Sequence, residues 1–376
     1  MKTGDGPRLR TALVGCGIRG AGIYLPVLRT MSRHFELVAL CDRLPGRAAE
    51  HALGSSVRAY TELDDLLEHE ALDLVVLAVT PPPSLENAAA TLRCIEAGMN
   101  VLAETPIAPR LDQADAIITA ARRTGATVEV AENYWRTPRE RFKAALRDAG
   151  VFGRIHIAYA DYVAHGYHAI ALLRSHLGFD VPAVRVTGLS RTFDVQPHVY
   201  RPGETRDSET WQFGVLELAT GGVGVFSFST LGYGSPLRWA REKCAVRFYG
   251  ERGMGHGDDL AVLGDGDVTL PIAVRRHTDT IDGSQVLAAL EADIADGVCW
   301  VNPLREYALA DGDQHAPLTI GLQLLSIYRA IAEDAPAEYT PEQARLDRAL
   351  DLAIAESWND GGRAIRVGAI DRAQTP

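Results

Sequence analysis

Short apolar runs alternate with helical patterns through the first third of the chain. The apolar runs predict strands at residues 9–14, 37–41, 72–79, 100–103 and 127–131. Helices are predicted between them, at residues 26–32, 46–52, 61–68, 85–97 and 111–123. An uninterrupted apolar run such as residues 74–79 suits a strand that is buried on both faces. The alternation therefore predicts an α/β domain with a doubly wound parallel sheet.

The pattern changes beyond residue 131, where β-rich runs are joined by glycine-rich turns. Such turns favour antiparallel pairing. Strands are predicted at residues 154–162, 184–189, 211–218, 222–229, 243–249, 260–263, 268–270 and 364–367. Helices are predicted at residues 139–149, 168–177, 284–295, 318–334 and 341–357. We therefore divide the chain into a first domain of residues 1–131 and a second of residues 132–376.

A glycine-rich loop separates the first two predicted strands. Gly15 permits a sharp turn off the first strand, Gly17 lets backbone come close to a diphosphate, and Gly20 lets the next helix pack tightly. The N–H groups that open this helix carry partial positive charge, which favours phosphate. Asp42 ends the second strand, at about the distance where an acidic residue accepts ribose hydroxyls. The combination predicts a nicotinamide-dinucleotide site, and the alternative is a tight turn without a ligand.

Three further loops follow parallel strands, at residues 80–83, 104–106 and 132–134. Because ligands of such sheets bind beyond the carboxyl ends of the strands, these loops should converge on the glycine loop. The predicted cofactor contacts are Gly15, Gly17, Ile18, Arg19, Gly20, Asp42, Arg43, Thr80, Pro81, Pro82, Glu104, Thr105 and Asn133. The Asp42 carboxylate repels a 2′-phosphate, which favours NAD. NADP remains an alternative, since the neighbouring Arg43 can bind that phosphate.

Length, charge and cysteine content narrow the class of protein. The chain has 376 residues, enough for two domains with their own cores, and a net charge of −11 without a basic block. This argues against nucleic acid and against an anionic membrane as partner. No apolar segment suits a signal sequence or a membrane span, and the five cysteines form no Cys-x-x-Cys pair. We expect a cytoplasmic protein with a small-molecule substrate.

These features, together with several segments along the chain, resemble the glucose–fructose oxidoreductase, inositol dehydrogenase and rhizopine-catabolism (Gfo/Idh/MocA) family of NAD(P)-dependent oxidoreductases. The matching segments are the glycine loop with Asp42, Thr80-Pro81-Pro82, and residues 95–108, 133–138, 150–155, 166–168 and 355–367. The resemblance implies a Rossmann domain followed by an α+β domain with an open, largely antiparallel sheet. It also implies a sugar, cyclitol or related polyol as substrate. That sheet often mediates oligomers in the family, which suggests a homodimer or homotetramer.

The chain departs from the family at the positions that carry proton transfer. Thr105 stands where the family usually has a lysine, and threonine cannot carry a cation. Ala164 and Ala171 stand where many dehydrogenase members have aspartates, so that His168 is what remains of the usual polar set. His168 is therefore the leading acid/base candidate, because histidine titrates near neutrality.

Other side chains complete the list of candidates. The catalytic candidates besides His168 are His165, Tyr134 and Thr105, and the substrate-side candidates are Tyr167, Tyr233, Arg238 and Trp239. His165, His168 and His176 lack an acidic or cysteine partner that would complete a ligand set, so no metal site is predicted.

Three functions stay open at this point. The first is a dehydrogenase or reductase that transfers a hydride between the nicotinamide and a small sugar-like or cyclic polar metabolite. The second is a redox-neutral enzyme that uses tightly bound NAD for elimination or epimerisation. The third is a dinucleotide-binding protein that has lost its catalytic groups.

Overall fold

The computed structural model describes residues 6–54, 56–79, 85–201, 204–230, 246–294 and 297–368. The chain forms two compact units. The first unit contains Met1–Pro138, His277–Ala288 and Val301–Arg348, and the second contains Arg139–Arg276, Ala289–Trp300 and Ala349–Pro376. No helix within the described ranges is long and apolar enough to cross a membrane.

A six-stranded parallel sheet forms the centre of the first unit. Its strands are β1 (Leu9–Val14), β2 (Phe35–Cys41), β3 (Arg58–Tyr60), β4 (Leu74–Leu77), β5 (Asn100–Ala103) and β6 (Val128–Val130). The helices between them are α1 (Leu25–Thr30), α2 (Arg47–Ala52), α3 (Leu63–His69), α4 (Leu85–Glu96) and α5 (Leu111–Thr124). The strand order β3-β2-β1-β4-β5-β6 is that of a doubly wound dinucleotide-binding fold, which confirms the predicted class.

A nine-stranded sheet dominates the second unit, preceded by α6 (Pro138–Asp148). Its strands are β7 (Ile155–Asp161), β8 (Ala183–Arg201), β9 (Glu204–Leu218), β10 (Val223–Ser229), β11 (Val246–Gly250), β12 (Gly253–His256), β13 (Asp259–Leu263), β14 (Thr269–Ile272) and β18 (Ile365–Arg366). All neighbouring strands are antiparallel except β7 and β10, which confirms the largely antiparallel sheet. Helix α7 (Gly166–Leu177) packs on β7 and β10.

Three strands and two helices complete the described chain. The strands β15 (Val274–Ile281), β16 (Ser284–Ala292) and β17 (Cys299–Val301) form a separate sheet. The helices are α8 (Pro317–Ala332) and α9 (Pro341–Asn359). Residues 318–328 of α8 are buried on every side, which is typical of a helix inside a core.

The predicted helix at residues 284–295 is wrong, because β16 occupies this segment as a strand. Its alanines, leucines and glutamate favour a helix by intrinsic propensity. However, Asp282 and Gly283 both have positive φ, at 48° and 79°, and they join β15 to β16 as a tight hairpin turn. Pairing between the strands therefore overrides the propensity of β16.

The predicted domain boundary also differs from the compact units. We expected residues 132–376 to form the second domain, whereas residues 277–288 and 301–348 belong to the first unit. The physical reason is α8, which packs against α1 and β5. On α8, the ring of Tyr328 meets that of His34 edge-on, with centroids 4.4 Å apart. A helix from far along the sequence thus packs on the parallel-sheet unit.

The strands β8 and β9 are longer than predicted. Residues 190–201 and 204–210 extend a ribbon whose polar and charged residues gave no signal of alternating hydrophobicity. The short strands β3, β12 and β17 and the exposed strand β15 were not predicted either.

Candidate functional site

The glycine loop lies at the carboxyl edge of the parallel sheet, directly after β1. Gly15 has φ +92°, and a Cβ atom there would stand 2.6 Å from the carbonyl oxygen of Ala78. A Cβ atom at Gly20 would overlap the carbonyl oxygen of Gly15. At Gly17 the nearest described atom would be Arg47 Nη1, 3.7 Å away. The fold itself therefore demands glycine at positions 15 and 20, whereas Gly17 leaves open space in which another group can approach the backbone.

Asp42 follows β2 and is almost fully buried beside this loop. Its Oδ2 accepts a hydrogen bond from the backbone N–H of Cys16 at 2.8 Å, and its Oδ1 accepts one from Leu44 at 2.9 Å. The guanidinium of Arg47 lies 3.6 Å from Oδ2. A carboxylate offers about four lone-pair positions, so these contacts orient Asp42 and leave it able to accept further hydrogen bonds.

A cavity of about 410 Å³ opens between the glycine loop and Asp42. It is lined by Val14, Gly15, Gly17, Cys41, Asp42, Arg43, Leu44, Arg47, Thr61, Glu62, Leu63, Ala78, Val79, Ala89, Ala90 and Arg93. The predicted contacts Gly15, Gly17, Asp42 and Arg43 thus come together around one space. The side chain of Ile18 is 92% exposed. Open space at Gly17 and an oriented carboxylate with spare acceptor capacity both fit a nucleotide.

The loop after β5 lies at the same edge of the sheet but has different contacts. Glu104 is buried, and its Oε1 accepts hydrogen bonds from Arg19 Nε at 2.6 Å and from the Tyr24 hydroxyl at 2.8 Å. The backbone N–H of Thr105 lies 3.2 Å from Glu104 Oε2. Two predicted cofactor contacts, Arg19 and Glu104, are therefore ion-paired with each other.

Asn133 and Tyr134 are buried after β6, where they contact a segment that the sequence did not point to. Asn133 Nδ2 donates a hydrogen bond to the carbonyl of Gln314 at 2.6 Å, and Gln314 Nε2 lies 3.4 Å from the Tyr134 hydroxyl. The next residue, His315, lies with its Nδ1 2.7 Å from Arg19 Nη1. Gln314 thus contacts the loop after β6, and His315 contacts Arg19 of the glycine loop. A polar segment just before a predicted helix is too common a pattern to have revealed this.

Two histidines and a tyrosine cluster where α7 begins in the second unit. The ring centroids of His165 and His168 are 5.2 Å apart, and those of Tyr167 and His168 are 4.4 Å apart. His165 also packs against Phe228, at 5.1 Å. Burial, with a smaller contribution from His168, lowers the pKa of His165 to about 3. His165 is therefore neutral at physiological pH, which weighs against it as a proton donor.

Several predicted residues lie outside the described part of the chain, namely Thr80, Pro81, Pro82, Tyr233, Arg238 and Trp239. Within that part, no group of three or more histidine, cysteine, aspartate or glutamate side chains is arranged to hold a metal ion.

Comparison with known proteins defines the class to which this site belongs. Residues 9–132 match the family model GFO_IDH_MocA, described as an oxidoreductase family with an NAD-binding Rossmann fold. Residues 9–132 are therefore similar to the NAD-binding domain of this family, which confirms the resemblance found in the sequence. The family description also agrees with the predicted cofactor, NAD.

Individual relatives match shorter parts of the chain. D-apiose dehydrogenase from Paraburkholderia graminis is 34% identical over 175 residues, which cover 44% of this chain and 44% of that protein. The matched stretches span about a third to a half of the length of the curated relatives.

Solved structures extend the likeness in fold to nearly the whole chain. An oxidoreductase domain protein from Kribbella flavida has a TM-score of 0.70 at 20% identity, over 96% of this chain and 99% of that one. The WlbA dehydrogenase from Bordetella pertussis, solved with NADH and UDP-GlcNAcA, has a TM-score of 0.65 at 19% identity, over 96% of this chain and 99% of that one. At such identities these structures establish the fold alone.

Proposed function

We propose that this protein is an NAD-dependent oxidoreductase that transfers a hydride between the nicotinamide and a small sugar-like or cyclic polar metabolite. The observation that carries the proposal is the cavity at the glycine loop, where Gly17 leaves open space next to the oriented carboxylate of Asp42. The family match and the name of the D-apiose dehydrogenase relative support a redox reaction on a polyol.

The residues of the first unit would hold the two halves of the cofactor. The N–H groups after Gly15 and Gly17 would bind the diphosphate, and Asp42 would accept hydrogen bonds from the adenosine ribose. When bound, NAD supplies the hydride acceptor, and the protein supplies position and electrostatics. Asn133 and Tyr134, both in contact with Gln314, would line the nicotinamide half.

We assign acid/base chemistry to His168 rather than to His165 or Thr105. Thr105 lacks a group that titrates near neutrality. Burial lowers the pKa of His165 to about 3, so its side chain is neutral near pH 7. His168 lies in the first turn of α7 and has Tyr167 beside it.

Substituting Asp42 tests the cofactor part of the proposal. We expect Asp42→Asn to weaken NAD⁺ binding about tenfold or more, because a charged acceptor of ribose hydroxyls is lost. The same change should strengthen NADP⁺ binding, since it removes the charge that repels a 2′-phosphate. Calorimetric titration with both nucleotides measures the two effects. Asp73→Asn is a matched control, because Asp73 accepts a hydrogen bond from Arg10 N before β4, at the opposite edge of the sheet.

Turnover on a panel of sugars, cyclitols and polyols with NAD⁺ tests the reaction. For any substrate found, His168→Ala should lower kcat by about 100-fold or more while NAD⁺ affinity changes little. Full activity of this variant would remove His168 from the mechanism. Absence of binding to all four pyridine nucleotides would remove the proposed function altogether.

The second candidate is a redox-neutral enzyme that uses tightly bound NAD for elimination or epimerisation. Such an enzyme would purify with NAD attached and would turn over its substrate without releasing NADH. Mass analysis of nucleotide released on denaturation separates the two candidates.

A further inference from the structure

An ion pair at the nicotinamide half of the site has no part in the function proposed so far. Arg19 and Glu104 come from different loops at the carboxyl edge of the sheet, with Nε and Oε1 2.6 Å apart. The side chain of Arg19 is 18% exposed and that of Glu104 is 9% exposed. The pair is thus largely shielded from water. Charges in such a place act on their surroundings more strongly than charges in solvent do.

The topology puts this pair on the nicotinamide side. In a doubly wound fold each half of the sheet binds one mononucleotide, and the dinucleotide lies across the crevice between them. Asp42 belongs to the half that contains β1–β3, and most of the residues that line the 410 Å³ cavity come from that half. Glu104 follows β5 in the other half, and Arg19 reaches across from the glycine loop.

The guanidinium is held on two sides in a fixed orientation. Nε donates to Glu104, and Nη1 donates to His315 Nδ1 at 2.7 Å, because a guanidinium has no acceptor. His315 is itself placed by its backbone N–H, which donates to Asp313 Oδ1 at 2.9 Å. Charges fixed in this manner need no reorganisation when a ligand binds.

The positive charge of Arg19 is also permanent. Arginine cannot be deprotonated in proteins, so this cation persists at every working pH. Burial lowers the pKa of the Arg19 guanidinium, but Glu104, Tyr24 and Glu132 together raise it above its usual value. The neighbouring Thr105 brings no charge, although a lysine is usual there in the family that the chain resembles. The cation beside this loop is therefore an arginine that exchanges no proton.

We propose that the Arg19–Glu104 pair lies beside the nicotinamide ring and sets the relative affinity of the protein for NAD⁺ and NADH. This inference rests on the proposed function, since it requires a bound pyridine nucleotide. The ring is cationic in NAD⁺ and neutral in NADH, whereas the rest of the two molecules is the same. A fixed positive charge near the ring therefore favours NADH, and a fixed negative charge favours NAD⁺.

The test compares the Kd values of NAD⁺ and NADH for the full-length protein at pH 8, above the ordinary range of carboxyl groups. The ratio Kd(NAD⁺)/Kd(NADH) should fall about tenfold in Arg19→Gln and rise about tenfold in Glu104→Gln. The double variant should return near the wild-type ratio. Arg19→Lys keeps the charge and should also remain near it, although it loses one of the two hydrogen bonds.

Arg47→Gln is the matched control. Arg47 is likewise an arginine of the first unit near a carboxylate, Asp42, but it lines the cavity of the other half of the site. Because both redox forms share the same adenosine half, this variant should change both affinities by the same factor.

The outcomes separate this inference from the proposed function. If the wild-type protein binds neither nucleotide, the proposed function fails, and the inference fails with it. If the wild type binds both, but Arg19→Gln and Glu104→Gln move the ratio in the same direction or by less than twofold, the inference is overturned and the proposed function stands. Opposite shifts support it, because a merely structural role would weaken NAD⁺ and NADH equally. Thermal unfolding of each variant verifies that it is folded, and Arg19→Lys separates loss of the charge from loss of the arginine side chain.

Discussion

His165 and His168 lie about one helical turn apart at the start of α7, yet their surroundings differ. His165 packs against Phe228, and burial lowers its pKa to about 3. The sequence made His168 the leading acid/base candidate and His165 a further one. The packing of His165 against Phe228 of β10 and its lowered pKa agree with that order.

This burial predicts a contribution to stability that depends on pH. An unfolded chain binds a proton at His165 below about pH 6.5, whereas the folded protein does so only near pH 3. The contribution is therefore complete above about pH 6.5 and is lost progressively as the pH falls toward 3. We expect the wild type to lose up to about 1.4 kcal/mol per pH unit relative to His165→Gln in this window. Urea unfolding at pH 7.5, 6 and 5 measures the difference, and parallel pH curves for the two proteins would contradict the prediction.

Most elements of the parallel sheet follow from the sequence, and the physical reason is local. Strands buried on both faces need continuous apolar runs, and the helices between them need apolar residues at helical spacing. Strands β1 and β5 accordingly match their predicted bounds exactly as residues 9–14 and 100–103. The prediction for β16 was wrong because the composition of this segment suits a helix. Its partner strand β15 is exposed and polar, so it gave no signal of a strand either.

Residues 301–348 belong to the first unit, although they follow most of the second unit along the sequence. Ser326 on α8 donates a hydrogen bond to Glu129 Oε2 at 2.8 Å, and Glu338 forms an ion pair with Arg136. Arg136 and Glu129 are completely buried and form an ion pair with each other. Burial raises the pKa of Glu129, and Arg136 opposes this effect. A buried ionic cluster thus connects residues 129–136 with residues 326–338.

Removal of the arginine should loosen this connection. Arg136→Met leaves the Glu129 carboxylate buried without its cation, at a cost of about 3–5 kcal/mol in the free energy of unfolding. The double variant Arg136→Met with Glu129→Gln should recover part of the loss, because a neutral amide can still bond Ser326. Equilibrium unfolding in urea measures both. Equal stability of the single and double variants would contradict an uncompensated charge as the cause.

The sequence by itself determined the Rossmann fold of the parallel sheet, the glycine loop and the position of Asp42, because each depends on local patterns of residues. The tertiary structure alone decided that residues 277–288 and 301–348 belong to the first unit, that Arg19 pairs with Glu104, and that His315 supports it. Arg19 and Glu104 are 85 positions apart along the chain, and Arg19 and His315 are 296 positions apart. Which residues make such long-range contacts depends on the surfaces that the folded sheet leaves uncovered. A local sequence pattern does not contain this information.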